Sequence, residues 1–234
     1  MASVEEKAKQ RYQGSLGLQY HHAKRAIPEQ AFPWVARLRL AKIAPYVRPS
    51  DTVLEYGVGL GWNLAAVACA RKLGYDVGAF LEPQVRLRGI EFRSDLEALP
   101  GASMDVVICH HTLEHTAEPA QVLSTIHRLL RAGGRLLLFV PFERERRFRH
   151  FDRTEPNHHL YSWNVQTLGN LVLEAGFEVE QAGLGRFGQE RFAARVASRL
   201  HGGERGFRVI RWIANTLKNE REVRVVATKL ASSI

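Results

Sequence analysis

The chain has 234 residues, 45% hydrophobic and 24% charged, with a formal charge of +9. That length admits one domain with additions and a sizeable core. No apolar run approaches the roughly 20 residues of a membrane span. Met1 to Gln10 is polar and lacks a secretory pattern. The two cysteines, Cys69 and Cys109, sit in apolar contexts and exclude a disulfide framework. They suit a reducing, cytoplasmic setting. The positive charge favours anionic partners: nucleic acid, acidic lipid headgroups or phosphorylated substrates.

Residues 1 to 20 have little periodicity and read as an irregular, partly mobile segment. Phe32, Val35, Leu38, Leu40 and Ile43 predict a helix over 28 to 47. A first strand over 52 to 56 ends in Glu55-Tyr56 and runs into Gly57-Val58-Gly59-Leu60-Gly61. A helix over 62 to 73 follows, stopped by Gly74. Strand, glycine turn and helix allow backbone to approach a nucleotide-like ligand closely. The dinucleotide spacing G-x-G-x-x-G would place its third glycine at Trp62, and the G-K-[ST] of a phosphate loop is absent.

Strand two is expected at 75 to 81 and strand three at 89 to 92, with only Pro83 to Gly89 between them. Strand four, 104 to 109, is apolar apart from Asp105, as a buried parallel strand should be. A helix over 119 to 131 closes at Gly133-Gly134, and strand five covers 135 to 140. A helix over 163 to 175, with Ser162 as N-cap, leads to strand six at 177 to 183. Strand seven is expected at 222 to 229. The alternation predicts an α/β, doubly wound sheet.

Between strands six and seven lies a helical insertion, about 186 to 220. Phe192, Val196 and Leu200 make one stripe beside Arg191, Arg195 and Arg199. Phe207, Ile210, Ile213 and Leu217 make a second, flanked by Arg208, Arg211 and Lys218. This basic amphipathic hairpin reads as a substrate lid or as a surface for peripheral contact with an anionic membrane. A second basic run, Arg144 to Arg153, follows strand five.

His110, His111, Glu114 and His115 invite a metal reading, and His111 to His115 matches H-x-x-E-H. That pattern needs a helix to aim both histidines at one ion. Here it follows a buried strand, so no metal is expected.

Four segments in order resemble the class I S-adenosylmethionine-dependent methyltransferases, of the small-molecule, type 11/23-like kind. They are Glu55-x-Gly57-x-Gly59-x-Gly61; Ser103 to His115 with its Leu-Glu-His ending; His127 to Leu136 around Gly133-Gly134; and His159 to Ser162 with Ala175-Gly176-Phe177. The resemblance covers roughly residues 50 to 184. It implies a Rossmann-like seven-stranded sheet whose last strand is antiparallel. An N-terminal helical extension or lid, 1 to 48, would precede a methyltransferase domain from 49 to 234. The cofactor would be S-adenosyl-L-methionine, with S-adenosyl-L-homocysteine as product. Gly57, Gly59 and Gly61 would approach it, and Glu55 would neutralise its ammonium. Glu82 would bind the ribose, Asp95 and Leu96 the adenine, and His110 would line the methionine side. His111, His158 and His159 are candidate bases because histidine titrates near neutrality, and Tyr161 is a candidate acceptor-orienting group. Tyr20-His21-His22 would belong to the lid.

Three functional classes follow. The first transfers a methyl group to O or N of a small-molecule, sugar or lipid-linked acceptor, expected to be anionic from the basic loop. The second acts on RNA or protein; only the charge supports it, because no nucleic-acid module or N-P-P-Y-type motif is present. The third is a non-catalytic cofactor-binding scaffold. The sequence does not set the oligomeric state.

Overall fold

The computed structural model describes residues 3–24, 27–143, 150–155 and 157–231, with Ala23 and Lys24 described in backbone only. The basic run over 144–149 therefore lies outside the described residues.

Seven strands form one sheet: β1 (Thr52–Tyr56), β2 (Arg71–Tyr75), β3 (Glu91–Arg93), β4 (Met104–His110), β5 (Leu130–Phe142), β6 (Phe177–Arg186) and β7 (Arg221–Lys229). Their order is β3-β2-β1-β4-β5-β7-β6. β7 runs antiparallel to both neighbours, and the pairs from β3 to β5 are parallel. This is the Rossmann-like sheet the sequence implied. Successive strand residues point to opposite faces. Leu54, Val107, Cys109, Leu136 and Leu138 pack on one side. Val53, Val106, Ile108, Leu137 and Phe139 pack on the other. Both faces are covered by helices, as an apolar parallel strand requires.

The described N-terminal residues are helical, unlike the irregular segment expected: α1 (Val4–Gln10) and α2 (Gly14–Lys24) precede α3 (Phe32–Ile43). A Ser3–Glu6 capping box starts α1. The helix after the glycine turn, α4, spans only Trp62–Ala65 instead of 62 to 73. β2 begins at Arg71, anchored by the N–H groups of Ala70 and Arg71 on the Asp51 carbonyl. Gly74 is therefore a strand residue and not a helix stop. Its missing side chain makes room for Val58, whose Cγ2 lies 2.7 Å from where a Cβ would stand. The connection from β2 to β3 is correspondingly longer than expected and carries α5 (Glu82–Arg86).

The helices α6 (Pro119–Leu129) and α7 (Val165–Glu174) fall where expected, but α7 is capped by Asn164, not Ser162. The insertion is a hairpin of α8 (Glu190–Arg199) and α9 (Gly203–Lys218). In α8 the buried side is not the one the large apolar residues suggested. Ala193, Ala194, Ala197 and Phe207 are buried together with Ala31 and Val35 of the N-terminal segment. Phe192, Leu200, Ile213 and Leu217 are exposed. Alanines let α8 approach its neighbours closely, so the small face becomes the core face.

Candidate functional site

The turn after β1 is closed by two hydrogen bonds. The N–H groups of Gly57 and Val58 donate to the Tyr75 carbonyl at 2.8 and 2.9 Å. Gly57, Gly59 and Gly61 all have positive φ, at 78°, 53° and 78°, which favours glycine. A Cβ on Gly57 would collide with the Thr112 side chain. A Cβ on Gly59 would meet nothing closer than 3.9 Å, so open space lies over that backbone. Gly61 faces the packing instead, 2.9 Å from Ile90 Cδ1, and does not line the cavity.

A cavity of about 650 Å³ opens over this turn. Its floor is Gly57 to Leu60, Tyr75 to Val77 and His110 to Thr112. Tyr12, Tyr20 and His21 from the N-terminal helices and Phe187 to Phe192 from the insertion wall it. His22 does not line it. Trp62 lies between the stacked Phe32 ring, at 4.9 Å, and the Arg88 guanidinium, at 3.9 Å.

The acid at the end of β2 is Asp76, not Glu82. Asp76 is nearly buried; its Oδ2 accepts from the Gly59 N–H and its Oδ1 from the Gly78 N–H, both at 2.9 Å. Burial raises its pKa against the lowering effect of these N–H groups. Glu82 lies instead on α5, away from the cavity, ion-paired with Arg86 at 2.7 Å. The correction follows from the short α4, which moves β2 toward the N-terminus. The signal was present: an acid closes the run Leu73-Gly74-Tyr75.

Glu55 is buried behind the cavity wall. Asn63 Nδ2 donates to its Oε1 at 2.9 Å. Burial pushes its pKa up to about 7, against the lowering effects of Asn63 and Arg39. Arg39 links Asn63 (3.3 Å) to Glu190 of the insertion (2.6 Å). Asp95 and Leu96 do not line the cavity. Asp95 is exposed and accepts from the Glu97 N–H, while Leu96 is buried in the core.

His110 lines the cavity at the end of β4, stacked on His111 at 4.5 Å, and its buried Nε2 has no partner among the described residues. Burial, with Lys42 and His111 nearby, holds its pKa well below the ordinary histidine range. His111 lines the cavity with positive φ and pairs through Nε2 with Glu222 Oε2 at 3.1 Å. Burial lowers His111 to about 4 against the opposing pull of Glu222. Both Glu222 oxygens also accept from Lys42 Nζ at 2.6 Å. Sequence reasoning missed this buried Lys42–Glu222–His111 group, because its members come from α3, β7 and the end of β4.

Of the other candidates, His159 lines the cavity and its Nδ1 meets Glu143 Oε1 at 2.7 Å. His158 and Tyr161 are exposed and lie outside the lining. The Tyr161 hydroxyl donates to the Ala117 carbonyl.

An open space over a bare Gly59 backbone, an acid at the β2 edge and a buried histidine nitrogen without a partner suit a nucleoside-bearing cofactor with a polar tail. Sheet order and glycine turn together define a class I S-adenosylmethionine-dependent methyltransferase fold. A methyltransferase-domain family model matches residues 23–182, and the chain belongs to that family. It is similar to proteins named as probable S-adenosylmethionine-dependent methyltransferases. In Mycobacterium tuberculosis (strain H37Rv) the identity is 30% over 173 residues, 69% of this chain and 60% of the relative. In Mycolicibacterium smegmatis it is 35% over 139 residues, 55% of this chain and 52% of the relative. The chain thus spans about half to three-fifths of the length of these curated relatives. A methyltransferase solved in complex with the Trm112 methyltransferase activator of Haloferax volcanii shares the fold, with a TM-score of 0.65 at 19% identity, covering 97% of this chain and 99% of that one. Among the described residues no helix is long and apolar enough to cross a membrane.

Proposed function

We propose that the chain binds S-adenosyl-L-methionine and passes its methyl group to O or N of a small-molecule, sugar or lipid-linked acceptor, releasing S-adenosyl-L-homocysteine. The observation that carries this reading is the open cradle over Gly59 with Asp76 held beside it. The bound cofactor supplies an electrophilic methyl on a sulfonium. Positioning then provides much of the rate. In this reading Gly57 and Gly59 admit the ligand, Asp76 meets the ribose hydroxyls, and His110 meets the amino-acid end. Glu55 acts on that end through Asn63. His111, neutral at pH 7 and backed by Glu222, accepts a proton if the acceptor must lose one. His159, oriented by Glu143, forms the acceptor end of the wall.

The described wall gives no support to an anionic acceptor. It carries the carboxylates of Glu5, Asp76, Glu114, Glu143, Glu190 and Glu220 against the cations of Lys9, Arg39 and Arg191. Uncharged, hydroxylated acceptors fit that balance better. A reducing, cytoplasmic setting suits the two free cysteines. The exposed face of α9 belongs to the same reading. Val209, Trp212, Ile213 and Leu217 are exposed there, with Arg205, Arg208 and Lys218 around them. Such a face suits shallow insertion into an anionic membrane and would bring lipid-linked acceptors within reach.

Titration calorimetry tests the cofactor assignment. The chain should bind S-adenosyl-L-homocysteine. Asp76→Asn should weaken binding about tenfold or more, the cost of losing a hydrogen bond to a charged group. Glu82→Gln should leave it unchanged. Absence of binding by the unmodified chain, or wild-type affinity in Asp76→Asn, would overturn the assignment.

A further inference from the structure

Glu114, His115 and His159 form a cluster at the acceptor end that methyl transfer does not require. One ligand atom from each lies within 4.8 Å of the others. His115 Nε2 stands 3.9 Å from Glu114 Oε1, and the two imidazole centroids are 4.8 Å apart. Each ring is held from behind. His159 Nδ1 meets Glu143 Oε1 at 2.7 Å, and His115 Nδ1 meets the Tyr12 hydroxyl at 2.9 Å. In the tautomer whose Nδ1–H donates to these oxygens, each ring keeps its Nε2 lone pair for a ligand, and His115 Nε2 already faces Glu114; such Nδ1 contacts orient metal-bound imidazoles.

The backbone is prepared as well. Glu114 and His115 sit on the turn Leu113–His115 after β4. The Leu160 N–H donates to the Glu114 carbonyl at 2.8 Å, which ties the segment bearing His159 to that turn. Ligands about 2.1 Å from an ion stand about 3–3.5 Å from one another. Groups within 4.8 Å of one another therefore need to close by at most about 1.5 Å, within the range of side-chain torsions.

A second group of similar make-up, His110, His111 and Glu222, contrasts with it. There the carboxylate already holds the Lys42 ammonium at 2.6 Å and the Arg224 guanidinium at 2.8 Å. Its cation is built in. Of the residues in H-x-x-E-H, His111 turns to Glu222, while Glu114 and His115 stand beside His159 from another loop.

We propose that Glu114, His115 and His159 bind one divalent transition-metal ion, oriented by Glu143 and Tyr12, and that the ion receives a hydroxyl oxygen of the acceptor. Two imidazoles and one carboxylate suit Zn²⁺, Mn²⁺, Fe²⁺ or Co²⁺ better than Mg²⁺ or Ca²⁺. Three protein ligands leave positions open. An acceptor hydroxyl bound there gives up its proton to solvent more readily. Its oxygen then forms the bond to the methyl carbon as the carbon–sulfur bond breaks, and that electron pair stays on sulfur. The acceptor part of this proposal rests on the methyltransferase reading; the ion site does not.

The test uses the tag-free 234-residue chain, stripped with chelator and titrated with CoCl₂. Visible absorption and calorimetry read binding, circular dichroism checks the fold, and S-adenosyl-L-homocysteine binding is measured on the same samples. One equivalent of cobalt with a visible ligand-field spectrum is expected. His115→Gln and His159→Gln should each weaken cobalt binding by about a hundredfold or more while S-adenosyl-L-homocysteine still binds. Glu143→Gln should cost about ten- to a hundredfold. His111→Gln should change it less than threefold. No cobalt spectrum in a chain that binds S-adenosyl-L-homocysteine would overturn the ion site. So would folded His115→Gln and His159→Gln variants that bind cobalt like the wild type. Cobalt bound as expected by a chain that does not bind S-adenosyl-L-homocysteine would uphold the site and overturn the methyltransferase reading.

Discussion

Gly57 and Gly59 share a positive φ but not a reason for being glycine. At Gly57 an added methyl meets the Thr112 side chain; at Gly59 it enters the cavity. Gly57→Ala should therefore cost the left-handed strain of about 1–2 kcal/mol plus a packing penalty of about 1–3 kcal/mol. Gly59→Ala should cost only the first but weaken cofactor binding at least as much. Thermal unfolding with calorimetry separates the two; equal losses of stability would contradict the packing difference. At this scale the sequence exposed the glycines and the histidines after β4. It took Glu82 for the acid at the end of β2, because the strand was placed too late; β2 ends at Tyr75, and Asp76 follows it on the cavity wall. Asp95 had the right residue type for its motif, but an exposed turn uses its carboxylate locally.

Among the elements, α3 does the most to assemble the site. Arg37, Arg39 and Lys42 reach Glu204 on α9, Glu190 on α8 and Glu222 on β7. The last pair is buried. Burial holds Lys42 down at about 8 despite Glu222. Burial would raise Glu222, but His111 and Lys42 outweigh it and hold the carboxyl at about 2. The carboxylate's stabilisation is present above pH 4.5 and lost as pH falls toward 2. Lys42 acts oppositely: the unfolded chain holds its proton more tightly, so stability rises with pH from about 8 to 10.5. Glu222→Gln should cost about 3–5 kcal/mol at neutral pH by leaving Lys42 buried and unpaired. Lys42 would then lose its proton at lower pH, so the deficit should narrow between pH 6 and 8.5. Urea unfolding at both values checks this, and a constant deficit would contradict it. Helical and strand periodicity revealed most elements, but the alanine-rich run after Trp62 imitated a long helix. Only pairing of Arg71 to Tyr75 with β1 decides that it is one turn and a strand.

At the scale of the whole molecule, N-terminal helices and insertion form one helical layer beside the ends of β1 and β4. The hairpin buries the alanines of α8 with Phe207 and leaves most of its other bulky residues outside. Trp212 is 60% and Leu217 82% exposed. Flotation with vesicles containing anionic phospholipid should carry the chain at low salt and less at high salt. Trp212→Ser with Leu217→Ser should abolish it. Retention of the unmodified chain in the bottom fraction would remove the membrane contact. The formal charge of +9 gave no warning that the described cavity wall carries more carboxylates than cations. Net charge reports the sum over the surface, not its placement.

The sequence by itself determined the glycine turn, the family and the sheet's strands other than β2. These depend on residues close in the chain, where periodicity and turn chemistry act. Tertiary structure decided which acid stands at the turn, which face of the hairpin is buried, and which histidines meet. His111 and Lys42 meet on Glu222, while His159 bonds Glu143 and packs edge-on against His115. Those partners lie on different strands and loops, and only packing the sheet between its helices brings them into contact.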